Sequence, residues 1–119
     1  MERSWNDHQP IYRQLRDRVA AMILDRTLSE GELLPSVRQV ATDYRINPLT
    51  VMRAYQELSD EGLVDKRRGI GMYVTHGAAA LLLQRERDSF LKEQWPEILK
   101  TIRRLGLSVR DLPDDGENG

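Results

Sequence analysis

Cysteine is absent from the sequence. Disulfides and thiolate metal sites are therefore excluded, and nothing points to an oxidising compartment. Histidine occurs only as His8 and His76, far apart and without cysteine partners, so no metal site is expected. Long apolar runs are also missing. The longest, Ala78 to Leu83, is far too short to span a bilayer. The first residues contain no apolar core of a signal peptide, so a cytoplasmic protein with no membrane partner is expected. No glycine-rich phosphate cradle, nucleophile triad or clustered ligand set can be found, which predicts neither enzyme chemistry nor a cofactor. Finally, there is no excess of either charge: 18 Lys and Arg stand against 19 Asp and Glu, a net of −1. That counts against a uniformly basic nucleic-acid-binding surface.

What is present is the composition of a folding domain. Of the 119 residues, 39% are hydrophobic and 31% charged, above the range of disordered chains. The charge is also unevenly placed. Between residues 36 and 56, Arg38, Arg45 and Arg53 face only Asp43. Between 62 and 77, Lys66, Arg67 and Arg68 face only Asp65. Acid gathers instead at Asp7, Asp17, Asp25, Glu30, Glu32 and the Glu57, Asp60, Glu61 cluster. A basic face on a neutral body is compatible with this distribution.

Periodicity predicts the elements. Pro10 suits the first position of a helix, and Ile11, Leu15, Val19, Met22 and Ile23 continue it to about Asp25. Leu33 and Leu34, before Pro35, read as extended. Ser36 with Gln39 three residues on forms a capping-box signature for a short helix with Val37, Val40, Ala41 and Tyr44 inward. Asn47 as N-cap and Pro48 behind it open a third helix. Its inner stripe is Val51, Ala54, Tyr55 and Leu58, and Gly62 terminates it. Leu49, Arg53 and Gln56 then face outward. Leu63–Arg67 and Met72–Thr75 read as strands joined by the tip Arg68-Gly69-Ile70-Gly71. From Ala78 the residues favour helix, with Leu82, Phe90, Leu91, Trp95, Ile98, Leu99 and Ile102 forming an apolar series that continues across Pro96. One kinked helix and two separate helices fit this pattern equally. Gly106 stops the run, and Ser108 caps a last turn over Val109–Leu112.

Helix, extended piece, helix, tight turn, helix and hairpin is the order of a winged helix-turn-helix. The expected fold class is mainly α with a small β-hairpin, followed by a short helical tail. The domains expected are a DNA-binding domain over 1–77, a helical dimerisation region over 78–112, and a flexible end over 113–119. A major groove admits one helix, and in this arrangement the third helix enters it while the second braces it.

At specific motifs the chain resembles GntR-type regulators. Gly31-Glu32-Leu33-Leu34-Pro35-Ser36-Val37-Arg38 matches their G-x-x-L-P-S-x-R stretch. Thr50-Val51-Met52-Arg53-Ala54-Tyr55, Leu58 and Glu61-Gly62-Leu63-Val64 match their recognition helix and its exit. Arg68-Gly69-Ile70-Gly71-Met72-Tyr73-Val74 resembles their wing. The likeness spans residues 10–76, about two thirds of the chain. Larger members carry a long effector-binding domain, whereas about forty residues follow Gly77 here. Together with Asn47-Pro48 in place of the wider family's Ser-Arg, this resembles the YtrA subfamily, whose short tail makes a dimer. Met52 also stands where many relatives carry arginine, so no base contact is carried over to Pro48 or Met52.

The resemblance implies the following roles. Arg38 contacts phosphate or a guanine edge. Leu49, Thr50 and Arg53 lie in the groove, with Arg53 placed for bidentate guanine readout. Ser36 and Asn47 donate to phosphates while capping, and Arg68 and Gly69 reach the minor groove. The partners expected are double-stranded DNA bearing an inverted repeat and a second copy of the chain. The dimer seam would use Leu82, Phe90, Leu91, Trp95, Ile98, Leu99 and Ile102, although the same apolar series folding back on its own domain remains open. A small-molecule effector would have to use the dimer groove or the hinge near Gly77-Ala78. The function implied is repression of the chain's own operon, with ABC-transporter genes as targets. A winged helix that binds protein rather than DNA is the competing reading, and salt dependence separates the two.

Overall fold

The structure is a computed structural model that describes residues 5–116. Helix α1 spans Ile11–Leu24, α2 Val37–Tyr44 and α3 Pro48–Asp60. Strands β1 (Val64–Arg67) and β2 (Gly71–Val74) follow, then α4 (Ala78–Ser89) and α5 (Trp95–Arg104). The chain forms two compact units, one ending at Leu83 and the other beginning at Gln84. Of the tail expected over 113–119, residues 117–119 lie outside the described residues. Among the described residues no helix is long and apolar enough to cross a membrane.

The first unit is built on three helices whose inner stripes meet. Leu15, Val19 and Ile23 of α1, Val40 and Ala41 of α2, and Val51, Ala54, Tyr55 and Leu58 of α3 are all buried. Strand residues Val64 and Val74 close the core from below, joined by Ala78, Ala79 and Leu82 from the start of α4. Gln14 also lies in this layer. It is satisfied there, since its amide accepts from the Asn6 N–H and donates to the Asn6 and Gln9 carbonyls at 2.8–2.9 Å. The segment before α1 is thereby tied down, and Trp5 meets the Tyr44 ring edge-on at 6.2 Å.

The strands pair antiparallel, Val64 opposite Val74 and Arg67 opposite Gly71. The extended piece before Pro35 adds to this ladder. Leu33 bridges Tyr73, the Leu34 N–H donates to the Met72 carbonyl at 2.8 Å, and the Gly31 N–H to the Val74 carbonyl at 2.7 Å. The residues leading into α2 are thus fixed to the hairpin, which sets α2 and the wing in one frame.

In the second unit the helical backbone continues through Pro96. Residues Phe90–Gln94 form a π turn, and the Trp95 N–H reaches back five residues to the Phe90 carbonyl. The cause is Pro96, which lacks an N–H and whose ring would strike the carbonyl four residues earlier in a regular α-helix. One extra residue in the turn relieves that clash. Helix α5 ends as Gly106 takes φ +74° and the Leu107 N–H bonds the Ile102 carbonyl. Ser108 and Asp111 then cap the short turn Val109–Asp111 reciprocally.

Candidate nucleic-acid interface

Helix α3 is gripped on one face and bare on the other. Val51, Ala54, Tyr55 and Leu58 are at most 3% exposed, whereas Leu49 is 68% and Met52 52% exposed. Arg53 and Gln56 are exposed too, and Thr50 is half-buried. Its ends are well defined. The Asn47 side chain accepts from the Leu49 N–H at 2.9 Å, and Pro48 follows at the first helical position. At the other end Gly62 at φ +79° lets the Leu63 N–H bond the Leu58 carbonyl and its own N–H bond the Ser59 carbonyl, a complete Schellman motif.

Helix α2 begins at Ser36, whose hydroxyl accepts from the Gln39 N–H at 3.0 Å. Only this half of the expected capping box forms. The Gln39 amide reaches forward to the Asp43 carboxylate, at 2.9 and 3.0 Å, instead of back to Ser36. A charged acceptor one turn ahead outcompetes the exposed backbone. Between α2 and α3 the chain turns on Arg45, which sits in the left-handed region at φ 54° and ψ 51°. Tyr55 ties the two helices together, donating its hydroxyl to the Pro35 carbonyl at 2.7 Å. Burial pushes this phenol well above its ordinary value, so it remains a donor.

Two shallow grooves place these pieces side by side. One is lined by Val37, Arg38, Ala41, Thr42, Ile46 and Pro48, so Arg38 lies by the start of α3. The other is lined by Val37, Met52, Tyr55, Gln56, Lys66, Gly71 and Met72, so the outer face of α3 adjoins the wing. Arg68 and Gly69 are exposed at the hairpin tip. Gly69 takes φ +76°, while a Cβ there would meet nothing within 4 Å, so the need for glycine is conformational.

The cations fall into two sets. On α1, Arg13 bonds Glu57 at 2.9 Å and Arg16 grips Glu61 through two nitrogens, one at 2.8 Å. The carboxylates hold both guanidinium groups above their ordinary value, chiefly through these hydrogen bonds. By contrast, among the described residues the side chains of Arg38, Arg45, Lys66 and Arg68 have no carboxylate partner. Arg67 stacks on Tyr73 at 4.6 Å, and Arg53 stacks on Tyr12. Sequence reasoning missed Tyr12, because one tyrosine in the first turn of an amphipathic helix carries no signal of its target.

The residues expected in a dimer seam are distributed unevenly. Leu82 is 2% exposed and belongs to the core of the first unit, so its burial is already accounted for within the chain. Ile102 is also buried, and Trp95 and Leu99 are half-buried. Phe90, Leu91 and Ile98 are exposed, as are Leu105, Leu107, Val109 and Leu112, which sequence reasoning did not include.

The profile of the bacterial regulatory proteins of the gntR family matches residues 11–74. Over 103 residues the chain is 33% identical to the HTH-type transcriptional repressor YtrA of Bacillus subtilis, covering 87% of this chain and 78% of that one. It is 30% identical over 112 residues to the HTH-type transcriptional regulator YhcF of the same organism, covering 94% and 91%. A solved GntR-family transcriptional regulator from Bacteroides thetaiotaomicron matches with a TM-score of 0.71 at 34% identity, covering 86% of this chain and 88% of that one. These likenesses support the YtrA subfamily and extend beyond the winged helix into the tail. With its bare third helix and hairpin wing, the chain belongs to the gntR family of bacterial regulatory proteins, and it is a DNA-binding transcription regulator rather than an enzyme.

Proposed function

We propose that the protein is a homodimeric repressor that binds an inverted-repeat operator in its own promoter region. The observation that carries this reading is the outer face of α3, left bare beside Arg38, Arg45, Lys66 and Arg68, whose charges no carboxylate of the described chain neutralises. In this reading residues 1–77 form the DNA-binding domain, 78–112 the dimerisation region and 113–119 a flexible tail.

Arg53 reads a guanine edge, Leu49 meets a thymine methyl group, and Thr50 lies in the groove. Arg38, Ser36 and Asn47 contact phosphate. The two caps use only acceptor oxygens, so the Ser36 hydroxyl proton and the Asn47 amide N–H groups are free to donate. Arg68 and Gly69 carry the wing to the minor groove. The exposed Phe90, Leu91 and Ile98, with Trp95 and Leu99, make the seam with a second copy. Exposed apolar side chains on a helical tail suit an interaction site, and two identical heads imply a two-fold site. Repression, as distinct from activation, follows the relative named a repressor. ABC-transporter genes as targets follow from the YtrA likeness, a cytoplasmic location suits a DNA partner, and any small-molecule effector would have to use the dimer groove or the hinge near Gly77-Ala78.

Footprinting of the purified protein on the region upstream of its own gene tests the proposal. Two protected half-sites about one helical turn apart are expected, with a single dimer by sedimentation equilibrium. Arg53→Ala should lower specific affinity by about 1–3 kcal/mol. A monomer that protects no stretch of that region would end the proposal.

A further inference from the structure

Arg53 does not extend freely into solvent. Its guanidinium carbon lies 3.9 Å from the centroid of the Tyr12 ring, and its Nη2 donates to the Tyr12 hydroxyl at 3.2 Å. Tyr12 belongs to the first turn of α1. Its ring is half-buried and packs against the core, so its position is fixed, while Arg53 is exposed. The neighbouring residue, Arg13, does a complementary job. It engages Glu57 at 2.9 Å, the carboxylate that lies one helical turn beyond Arg53 and would otherwise be its natural partner.

We propose that Tyr12 is a positioning residue for DNA recognition, holding the Arg53 guanidinium over its ring so that the remaining N–H groups face a guanine. This rests on the reading of α3 as the helix that enters the groove. A guanidinium on a flexible stem loses rotamer freedom when it forms a bidentate pair, and stacking on a fixed ring removes much of that loss beforehand. A guanidinium over one ring face keeps donors at its edges. One of five is used by the Tyr12 hydroxyl, and two suffice for guanine O6 and N7. Arg13 contributes by occupying Glu57 and so leaving Arg53 to the ring.

The test uses the full chain and a duplex that the wild-type protein selects from a random-sequence library, with a scrambled duplex as control. Binding is read by fluorescence anisotropy at one salt concentration, with 7-deazaguanine placed at each guanine in turn. One such replacement should weaken wild-type binding about tenfold, and Arg53→Ala should abolish that penalty. Tyr12→Leu should weaken binding to the selected duplex about three- to tenfold. It should also shrink the 7-deazaguanine penalty, leaving affinity for the scrambled duplex unchanged. Tyr12→Phe, which keeps the stack and loses the hydrogen bond, should fall between Tyr12→Leu and wild type. Wild-type affinity in Tyr12→Leu, beside a clear loss in Arg53→Ala, overturns the proposal and leaves the Arg53 assignment standing. Tighter binding by Tyr12→Leu, or equal weakening on both duplexes, also overturns it. If Arg53→Ala itself changes nothing, the reading of α3 at this residue fails first, and the role of Tyr12 falls with it.

Discussion

The Tyr55 hydroxyl allows a test of how α2 is held to α3, because removing it has opposite effects at neutral and alkaline pH. Tyr55 is 3% exposed, and its bond to the Pro35 carbonyl at 2.7 Å anchors the residue just before the Ser36 cap. Tyr55→Phe keeps the ring and deletes this bond, which should cost about 1 kcal/mol near pH 7. Burial raises the phenol in the folded protein, while the unfolded chain titrates near the ordinary value of about 10. The raised folded value means that this residue's contribution is complete below pH 10. Above it the unfolded chain loses the proton first, so wild-type stability falls as pH rises, by about 0.8 kcal/mol at pH 10.5 and about 1.4 at pH 11. Phenylalanine has no proton to lose. The deficit of Tyr55→Phe should therefore shrink above pH 10, vanish at about pH 10.6 and become a small advantage by about pH 11. Urea unfolding in a Trp95→Phe background, with Trp5 fluorescence reporting on the first unit, measures both arms. Equal stability of the two proteins at pH 7 would refute the hydrogen-bond argument. A deficit unchanged between pH 7 and 10.8 would refute the burial argument.

Three further substitutions probe other joints. Arg16→Ala removes the two-pronged grip on Glu61 and should destabilise the first unit by about 1–2 kcal/mol, read from the urea midpoint. Arg45→Gly relieves the left-handed turn and should stabilise by about 0.5–1 kcal/mol. It should also lower the salt dependence of DNA binding by about one counterion, read from affinity against salt concentration. Pro96→Ala restores the missing N–H, so the π turn should close to a regular α-turn and rotate the residues beyond it by about 100°. Dimerisation through Phe90 and Ile98 should then weaken by more than about 1 kcal/mol in sedimentation equilibrium, and an unchanged dimer would count against that seam.

The helices and hairpin were legible because their signals are local. Ser36, Asn47-Pro48 and Gly62 fix helix ends within a few residues by their own hydrogen-bonding chemistry, and the stripe Val51, Ala54, Tyr55 and Leu58 obeys a period that the core enforces. What was not legible depends on partners distant in the chain. Leu82 looked like the rest of the tail's apolar series, yet it packs into the first unit's core, since nothing in a run of leucines says which surface each will meet. Gln14, in the inner layer of α1, is bonded by the segment before the helix, a match that only the folded chain reveals. Pro96 left two outcomes open because its clash can be relieved by a break or by one inserted residue, and the helical geometry at Gln94 and Trp95 shows the second.

The charge balance is where sequence and structure differ most usefully. A net charge of −1 argues against a nucleic-acid surface only if every charge is equally available. Here it is not. Glu57 lies on α3, the helix proposed to enter the groove, and Glu61 is its C-cap; unneutralised, they would repel phosphate. Arg13 and Arg16 of α1 pair with them, so two anions beside the helix are neutralised by two cations. Arg38 at the start of α2, Arg45 at the turn, and Lys66 and Arg68 on the wing stay without carboxylate partners among the described residues. The potential that a duplex meets is therefore set by the unpaired cations around α3 rather than by the total. A neutral chain can bind an anionic polymer in this way, provided that the acid beside its binding face is paired with cations of its own.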